Sequence, residues 1–507
     1  MFAHLHVKST FSFLHGGSSP EDLVKQARTI HCPALALTDK NGIYGAVRFL
    51  NTCKSQGIRG IIGSEVTVEQ APIVLLVQNE TGYANLCRIL TEAHTSNRKH
   101  PSVPINVLST FNSDLFCLTG GKESTAWQLV SNKKIGEAEQ WLRRLHSVFR
   151  ERLYIELCHT LEYGAGRVID QLYRLSVSMN IPVVASNNVR YDIAENYVLS
   201  DLLTCIGLNI TVDEPHPDRP RNAEAYLKSK EALKRLIPFE SAFENTMVIA
   251  NACQIDLVPE HITPPTARLP DNISPRAYLN RICSEALLDK YTVDRQDQAM
   301  AQYNKEFGVI TGLGLEEYFL VVREVVDEAR RQGIRCYGRG SAANSIVAYL
   351  LDITGVDPIA HNLLFERFLH GGRKGTPDID IDFDSERRDE IITWIENRFG
   401  MEQTAMTATV ITYQLRIALR DVAKALGWPM DTVNQLTKAI PPRRARHVRE
   451  YRPQLLRVLG ESPLFELLID LVERLDGLPR HMGLHSGGMV LSRKPLYHFS
   501  PIQVSAN

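Results

Sequence analysis

Through about the first 200 residues, short apolar runs alternate with amphipathic stretches. "CPALALTD" predicts a strand, "IYGAVRFLNTCKSQG" a helix and "IRGIIGSEVTV" the next strand, and "ERLYIELCH" and "IPVVASNN" continue the rhythm. Such alternation specifies an α/β barrel or a doubly wound sheet. Polar residues stand where the apolar runs stop: His6, Asp39, Glu65, His159, Asn187 and Asn188. In a barrel those ends share one rim, where sites are built. Strand ends are also polar because they meet water, and the pattern alone leaves both readings open.

The passage "VPEHITPPTARLP", Val258 to Pro270, breaks the rhythm and predicts an interdomain linker. Beyond it "PRAYLNRICSEALLDKY" and "EEYFLVVREVVDEARRQG" read as helices, followed by a strand "IRCY", a glycine turn and another helix. Then "PDIDIDFD" places an aspartate at every second position from Asp378 to Asp384. In a strand Asp378, Asp380, Asp382 and Asp384 share one face, while Ile379, Ile381 and Phe383 share the other. The apolar face supplies burial. Like charges one strand-step apart repel unless a cation screens them, and converging oxygens suit a hard divalent ion such as magnesium. A calcium loop is excluded, because Phe383 stands where its glycine is needed and Asp389 where its glutamate is needed. An amphipathic edge strand in water is the plainer alternative.

Just upstream, the strand enters Gly338-Arg339-Gly340-Ser341 and then a helix. Backbone N–H groups at such a junction suit phosphate, although the P-loop pattern and its lysine are absent. A phosphate cradle and a row of carboxylates about forty residues apart together point to metal-assisted nucleotidyl transfer.

Length and composition bound these readings. The 507 residues imply roughly two to four domains. Hydrophobic content of 44% and charged content of 23% are those of a soluble globular chain. No secretory signal or long apolar span is present in the sequence, so a cytoplasmic location and no membrane are expected. Nine scattered cysteines without a CxxC pair read as buried thiols. The formal net charge of −1 requires any polyanion-binding surface to be local. The candidate is a basic helical region with Arg416, Arg420, Arg443, Arg444 and Arg446; a solvated helical face is the alternative. His485, in a predicted glycine turn leading into a strand, could equally touch phosphate or be a plain loop histidine.

"GRGSAANS", "LLFERFL", "PDIDIDFD", "ITYQLRIALRDVAKALG" and "HSGGMVLS" resemble, in order and approximate spacing, the bacterial DNA polymerase III alpha subunit, the C-family polymerases. "HLHVKSTFSFLHGG", "ALALTDKNGIYGAVRF" and "IIGSEV" resemble that family's PHP (polymerase and histidinol phosphatase) domain, and the wording of "GRGSAANS" and "PDIDIDFD" resembles the error-prone branch more than the main replicative one. The resemblance implies a multidomain α/β chain: a PHP-type α/β barrel over about 1–250, a linker over 251–275, a polymerase-beta-like α+β palm over 276–409, a helical thumb over 410–487 and a return to the palm over 488–507. It implies DNA-directed DNA polymerisation at a two-metal Mg2+ site. Asp378 and Asp380 match two of three catalytic aspartates, with Asp382 a further candidate ligand. Gly338, Arg339, Gly340 and Ser341 match the triphosphate loop, and Arg367 of "FERF" approaches it. Implied partners are primer-template DNA and deoxynucleoside triphosphates, with a sliding clamp and other polymerase subunits engaged by regions outside this sequence.

Two departures shape the expectation. Metal-binding PHP domains carry a His-x-His pair, a histidine after the strand-end aspartate and a late Asp-x-His. The matching positions here hold His6 with Lys8, Asp39 with Lys40, and Asn188 with Arg190, beside Glu65 and His159. Cations in place of neutral imidazoles disfavour the metal, so no PHP metal is expected and Lys8, Lys40 and Arg190 should pair with Asp39 and Glu65. A phosphoesterase or 3′–5′ exonuclease is accordingly disfavoured. The family's third aspartate lies on a strand beyond "HSGG" that the sequence does not reach before Asn507, and fingers, helix-hairpin-helix, OB-type and clamp-binding regions are also missing. The expectation is the N-terminal part of a polymerase, incomplete for synthesis alone, with a catalytically silent DNA- or partner-binding fragment as the alternative.

Overall fold

Six strands carry the early rhythm: β1 (Ala34–Leu37), β2 (Arg59–Val68), β3 (Ala71–Val77), β4 (Leu115–Leu118), β5 (Leu153–Cys158) and β6 (Val183–Ser186). The computed structural model describes residues 1–257, 264–270, 272–369 and 379–505, and Asp378 and the start of the Pro-rich passage lie outside them. The strands hydrogen-bond in chain order. β1–β2 and β4–β5–β6 pair parallel, whereas β2–β3–β4 pair antiparallel. Neither β3 nor β4 is singled out in the sequence reading, although both are short apolar runs like β1 and β6. Glu69 and Gln70 make the β2–β3 turn with φ of 50° and 87°, the backbone a two-residue hairpin needs to match strand twist.

Alternation along these strands sorts two cores. Ala34, Ala36, Ile61, Val74, Leu76, Phe116, Leu118, Tyr154 and Val184 gather with Ala3 and Leu5 and with Ile249 and Ala250 of the helix Glu240–Ala252. Their neighbours Leu35, Leu37, Ile62, Ile73, Leu75, Leu115, Ile155 and Val183 pack in a second core with residues of the flanking helices. Burial on both faces is why the strands read as unbroken apolar runs. The N-terminal segment curls the sheet back on itself: Ala36 N donates to His4 O and Thr38 N to Val7 O, while Val189 N donates to His6 O and Lys8 N to Val189 O. This PHP-type α/β arrangement puts Glu65 and Glu156 on the inward parity of β2 and β5, above Ile61 and Tyr154.

The chain forms two units, Met1–Val258 with Ala408–His485 and Tyr497–Asn507, and Pro259–Thr407 with Ser486–Leu496. In the first, the helices Leu415–Ala425, Met430–Ala439 and Phe465–Arg474 enclose a core that includes Leu199, Leu202 and Leu203 of the helix Tyr197–Leu208. Residues 410–485 therefore pack with the PHP region. Residues from Tyr497 to Ser505 also belong to this unit. The Tyr497 ring lies 4.3 Å from the Arg88 guanidinium, and Tyr83 Oη donates to Phe499 O at 2.9 Å.

The second unit is helical and α+β. The helices Pro275–Lys290, Val293–Gly312, Glu316–Arg331 and Arg388–Phe399 share one core with the two-stranded antiparallel ladder of β7 (Cys336–Arg339) and β8 (Asp380–Phe383). β9 (Thr404–Thr412) and β10 (Pro479–Leu491) pair. The "HSGG" segment is strand interior in β10 and not the predicted glycine turn. Close strand approach explains a glycine there: a Cβ on Gly483 would stand 3.1 Å from Ile411 Cγ1. No helix among the described residues is long and apolar enough to cross a membrane.

Candidate functional site

β7 and β8 place the two chemistry-bearing motifs side by side. Arg339 pairs with Asp380, Gly338 with Ile381 and Tyr337 with Asp382. Ile379, Ile381 and Phe383 pack against the core, as the two-faced strand requires, and Asp382 is exposed. The Arg339 Nε lies 2.9 Å from Asp382 Oδ1. Asp384 turns to Arg335 at 3.1 Å and accepts from Glu386 N. The backbone bond and the guanidinium hold its carboxyl below the usual range. Asp378 cannot be placed beside them, being outside the described residues.

Gly340 follows β7 at φ +67°, and a Cβ on it would stand 3.3 Å from Asp380 Oδ2. Gly338 is closer packed still, its missing Cβ only 2.4 Å from Ile353 O. These contacts explain two of the loop's glycines sterically. The turn Gly340–Asn344 is tied by Asn344 Nδ2 to Ser341 O at 3.0 Å. The short turn Phe365–Arg367 packs beside it, with Arg367 exposed. Arg388 Nη1 donates to Ser486 O at 2.5 Å, so "HSGG" meets the helix that follows β8. The sequence reading missed Glu306, a fully buried carboxylate behind this loop; a single glutamate in an amphipathic helix carries no signal in sequence.

In the first unit, the rim residues form a charged network. The buried His6 lies 2.8 Å from Glu156 Oε1 through Nδ1 and 2.8 Å from Glu65 Oε2 through Nε2. Burial pushes the imidazole pKa down, but the two carboxylates outweigh it and raise it, since only the imidazolium donates from both nitrogens. Lys8 Nζ lies 2.7 Å from Glu65 Oε2 and 2.5 Å from Asn188 Oδ1. Burial opposes ionisation of Glu65, yet Lys8 and His6 hold its carboxyl well below the usual range.

The expected pairing of cations with Asp39 does not form. Asp39 accepts from Ser9 N at 2.7 Å, Ser9 Oγ at 2.9 Å and Ser12 Oγ at 2.7 Å, and burial pushes its pKa up. Hydroxyls from the first loop reach it before any lysine does. Lys40 is exposed. Arg190 pairs with Glu123 at 3.1 Å, a carboxylate the sequence reading did not select. His159 accepts from Leu161 N at 3.1 Å, and burial lowers its pKa. Among the described residues, no three or more His, Cys, Asp and Glu side chains gather in a way that could hold a metal ion.

The basic helical region divides. Arg444 pairs with Asp476 at 2.9 Å, and Arg416 Nε donates to Ile440 O at 2.6 Å. Arg420, Arg443 and Arg446 are exposed, and His485 lies exposed in β10.

Known proteins share both halves of this arrangement. Residues 4–160 match the PHP domain, and residues 277–507 match the bacterial DNA polymerase III alpha NTPase domain. Error-prone DNA polymerase of Symbiobacterium thermophilum is 37% identical over all of this chain and 49% of its own length. Error-prone DNA polymerase of Pseudomonas fluorescens is 34% identical over 99% of this chain and 48% of its own, and DNA polymerase III subunit alpha of Bacillus subtilis 34% identical over 99% and 46%. The chain thus spans about half the length of the curated relatives it matches. A solved amidohydrolase from Chromobacterium violaceum, 12% identical over 38% of this chain and 88% of its own, superposes with a TM-score of 0.29, too slight a likeness to argue from. The chain thus carries a PHP domain over residues 4–160, followed by a bacterial DNA polymerase III alpha NTPase domain over residues 277–507.

Proposed function

We propose that this chain supplies the triphosphate loop and metal-binding carboxylates of an error-prone DNA-directed DNA polymerase. The observation that carries the reading is the approach of the Gly338–Ser341 loop to Asp380, 3.3 Å from a Cβ built on Gly340. In the proposed reaction a primer 3′ oxygen bonds to the α-phosphorus of a deoxynucleoside triphosphate while the bond to pyrophosphate breaks. The loop's backbone N–H groups, with Arg339 and Ser341, hold the triphosphate, and Arg367 approaches the same phosphates. The carboxylate oxygens of Asp380 and Asp382 are hard donors that fit Mg2+, and with Asp378 they would hold it. Magnesium, when bound, would neutralise the negative charge that such transfers develop on the reacting oxygens.

In this reading residues 276–409 form the palm and 410–487 the thumb, whose exposed Arg420, Arg443 and Arg446 track the template backbone. The PHP rim works without metal, because Lys8 already neutralises Glu65. Partners are primer-template DNA and deoxynucleotides.

The test is primer extension by the purified chain with Mg2+ and four deoxynucleotides, beside an Asp378→Ala, Asp380→Ala variant and a filter-binding assay for primer-template. Extension that disappears in the variant supports synthesis by this chain. Salt-dependent binding without extension supports the DNA-binding reading instead. Neither binding nor extension overturns both.

A further inference from the structure

The proposed triphosphate loop is anchored from behind by one buried carboxylate. Glu306, in the helix Val293–Gly312, is 0% exposed. Its carboxylate accepts from Ser345 Oγ at 2.8 Å, Ile346 N at 3.1 Å, Val347 N at 3.3 Å and Gln302 Nε2 at 2.8 Å. Ser345, Ile346 and Val347 are the residues at which the turn Gly340–Asn344 becomes the helix Ile346–Leu350. Ser345 in turn accepts from Ala348 N at 3.2 Å, and its own N donates to Ala342 O at 3.1 Å. The carboxylate therefore grips the C-terminal end of the loop, while β7 grips its N-terminal end across from Asp380.

A buried carboxylate with four donors and no cation is costly unless its geometry is used. No basic side chain is among its hydrogen-bond partners. Cys283 of the helix Pro275–Lys290 and Tyr291 just beyond it both feel the Glu306 charge, and burial pushes both of them up. A plain buttress would be served by an apolar side chain. A carboxylate instead fixes the rotation of the Ser345–Val347 backbone, because each donor must aim at one of two oxygens.

We propose that Glu306 is the positioning residue of the nucleotide-binding loop: it sets where the loop's N–H groups, Arg339 and Ser341 stand relative to Asp380. The inference rests on the reading of that loop as the triphosphate site. Glu306 does not touch the nucleotide and acts through Ser345, Ile346 and Val347.

Two measurements on the full 507-residue chain separate this inference from the reading beneath it. Amide hydrogen exchange compares the wild type with Glu306→Gln and Glu306→Asp. Titration with Ca2+·dATP follows nucleotide binding in the same proteins across pH 6 to 8.5. Glu306→Gln keeps the volume but turns an amino group toward the donors. It is expected to speed exchange at 340–348 while the β1–β6 amides stay protected, and to weaken nucleotide binding about tenfold, the effect of one lost charge-assisted bond. Glu306→Asp, with the charge kept, is expected to restore part of the affinity. Unchanged exchange at 340–348 in a folded Glu306→Gln protein overturns the anchoring role whatever the nucleotide does. Faster exchange with wild-type affinity overturns the positioning role. If the wild type itself does not bind dATP, the triphosphate reading fails and the functional half of the inference falls with it, while the exchange result still decides whether Glu306 holds the loop.

Discussion

Arg339 reaches across the β7–β8 ladder to Asp382, Nε to Oδ1 at 2.9 Å, while its backbone pairs with Asp380. One residue thereby joins the glycine loop to the acidic strand. Both side chains are more than three-fifths exposed, and exposed pairs of this kind contribute roughly 0–1 kcal/mol to stability. Arg339→Ala is expected to leave the melting temperature nearly unchanged while weakening nucleotide binding about tenfold or more, the scale of a lost charge-assisted contact to phosphate. Thermal melting beside a Ca2+·dATP titration checks both halves. A large loss of stability would assign Arg339 a structural role.

Gly338 packs against the Ile353 carbonyl, where a Cβ would lie 2.4 Å from oxygen. Gly338→Ala must push β7 away from Ile353 and break the 2.8 Å bond from Gly338 N to Ile353 O. A cost of about 2 kcal/mol or more is expected, read as a lower urea midpoint, with nucleotide binding lost as the loop shifts.

Lys8→Met leaves Glu65 buried without its ammonium partner. Removing one partner of a buried pair costs about 3–5 kcal/mol. The sign of the pH dependence follows from the depressed Glu65 carboxyl: its stabilisation is present above the ordinary value of 4.5 and is lost as pH falls through the lower folded value. The gap in melting temperature between wild type and Lys8→Met is therefore widest near neutral pH and narrows in acid. A gap that widens in acid would contradict the charge account.

Glu306 behaves oppositely. Burial raises its pKa from 4.5 to about 7, so its contribution to stability is fully present below 4.5 and is lost as pH rises through about 7. A raised pKa of this size amounts to about 3 kcal/mol across that window. Wild-type stability should therefore fall relative to Glu306→Gln between pH 5 and 8, whichever protein is the more stable at the start. Melting curves in a pH series decide it; parallel slopes would mean that the carboxylate is not desolvated.

Arg420→Ala, Arg443→Ala and Arg446→Ala should each weaken primer-template binding and lower the salt dependence of the log affinity by about one. Arg444→Ala should do less, since Asp476 already holds its guanidinium. Fluorescence anisotropy at several salt concentrations distinguishes the four. Equal effects from all of them would argue for general electrostatics without a tracked backbone.

Much of this was legible in local pattern. The apolar runs "ALAL" and "LYIELC", set between amphipathic stretches, mark strands, and Asp380 and Asp382 alternate with Ile379, Ile381 and Phe383, which do pack on the core. "APIVLLV" and "LFCL" were not singled out, although they are apolar runs of the same kind as those that were. "HSGG" was misread as a turn because glycine signals a turn and a close strand approach with the same letter.

The sequence by itself determined which side chains carry charge, which face of each strand is apolar, and the motifs that carry the family resemblance. These depend on residue type and on spacing along one element. Only the tertiary structure decided who partners whom. Lys8 reaches Glu65 and Asn188 across 57 and 180 positions, Asp39 takes hydroxyls in place of cations, and Glu306 closes on Ser345 from another helix. Such choices are settled by distance in three dimensions, where a buried charge takes the nearest donor that packing brings to it.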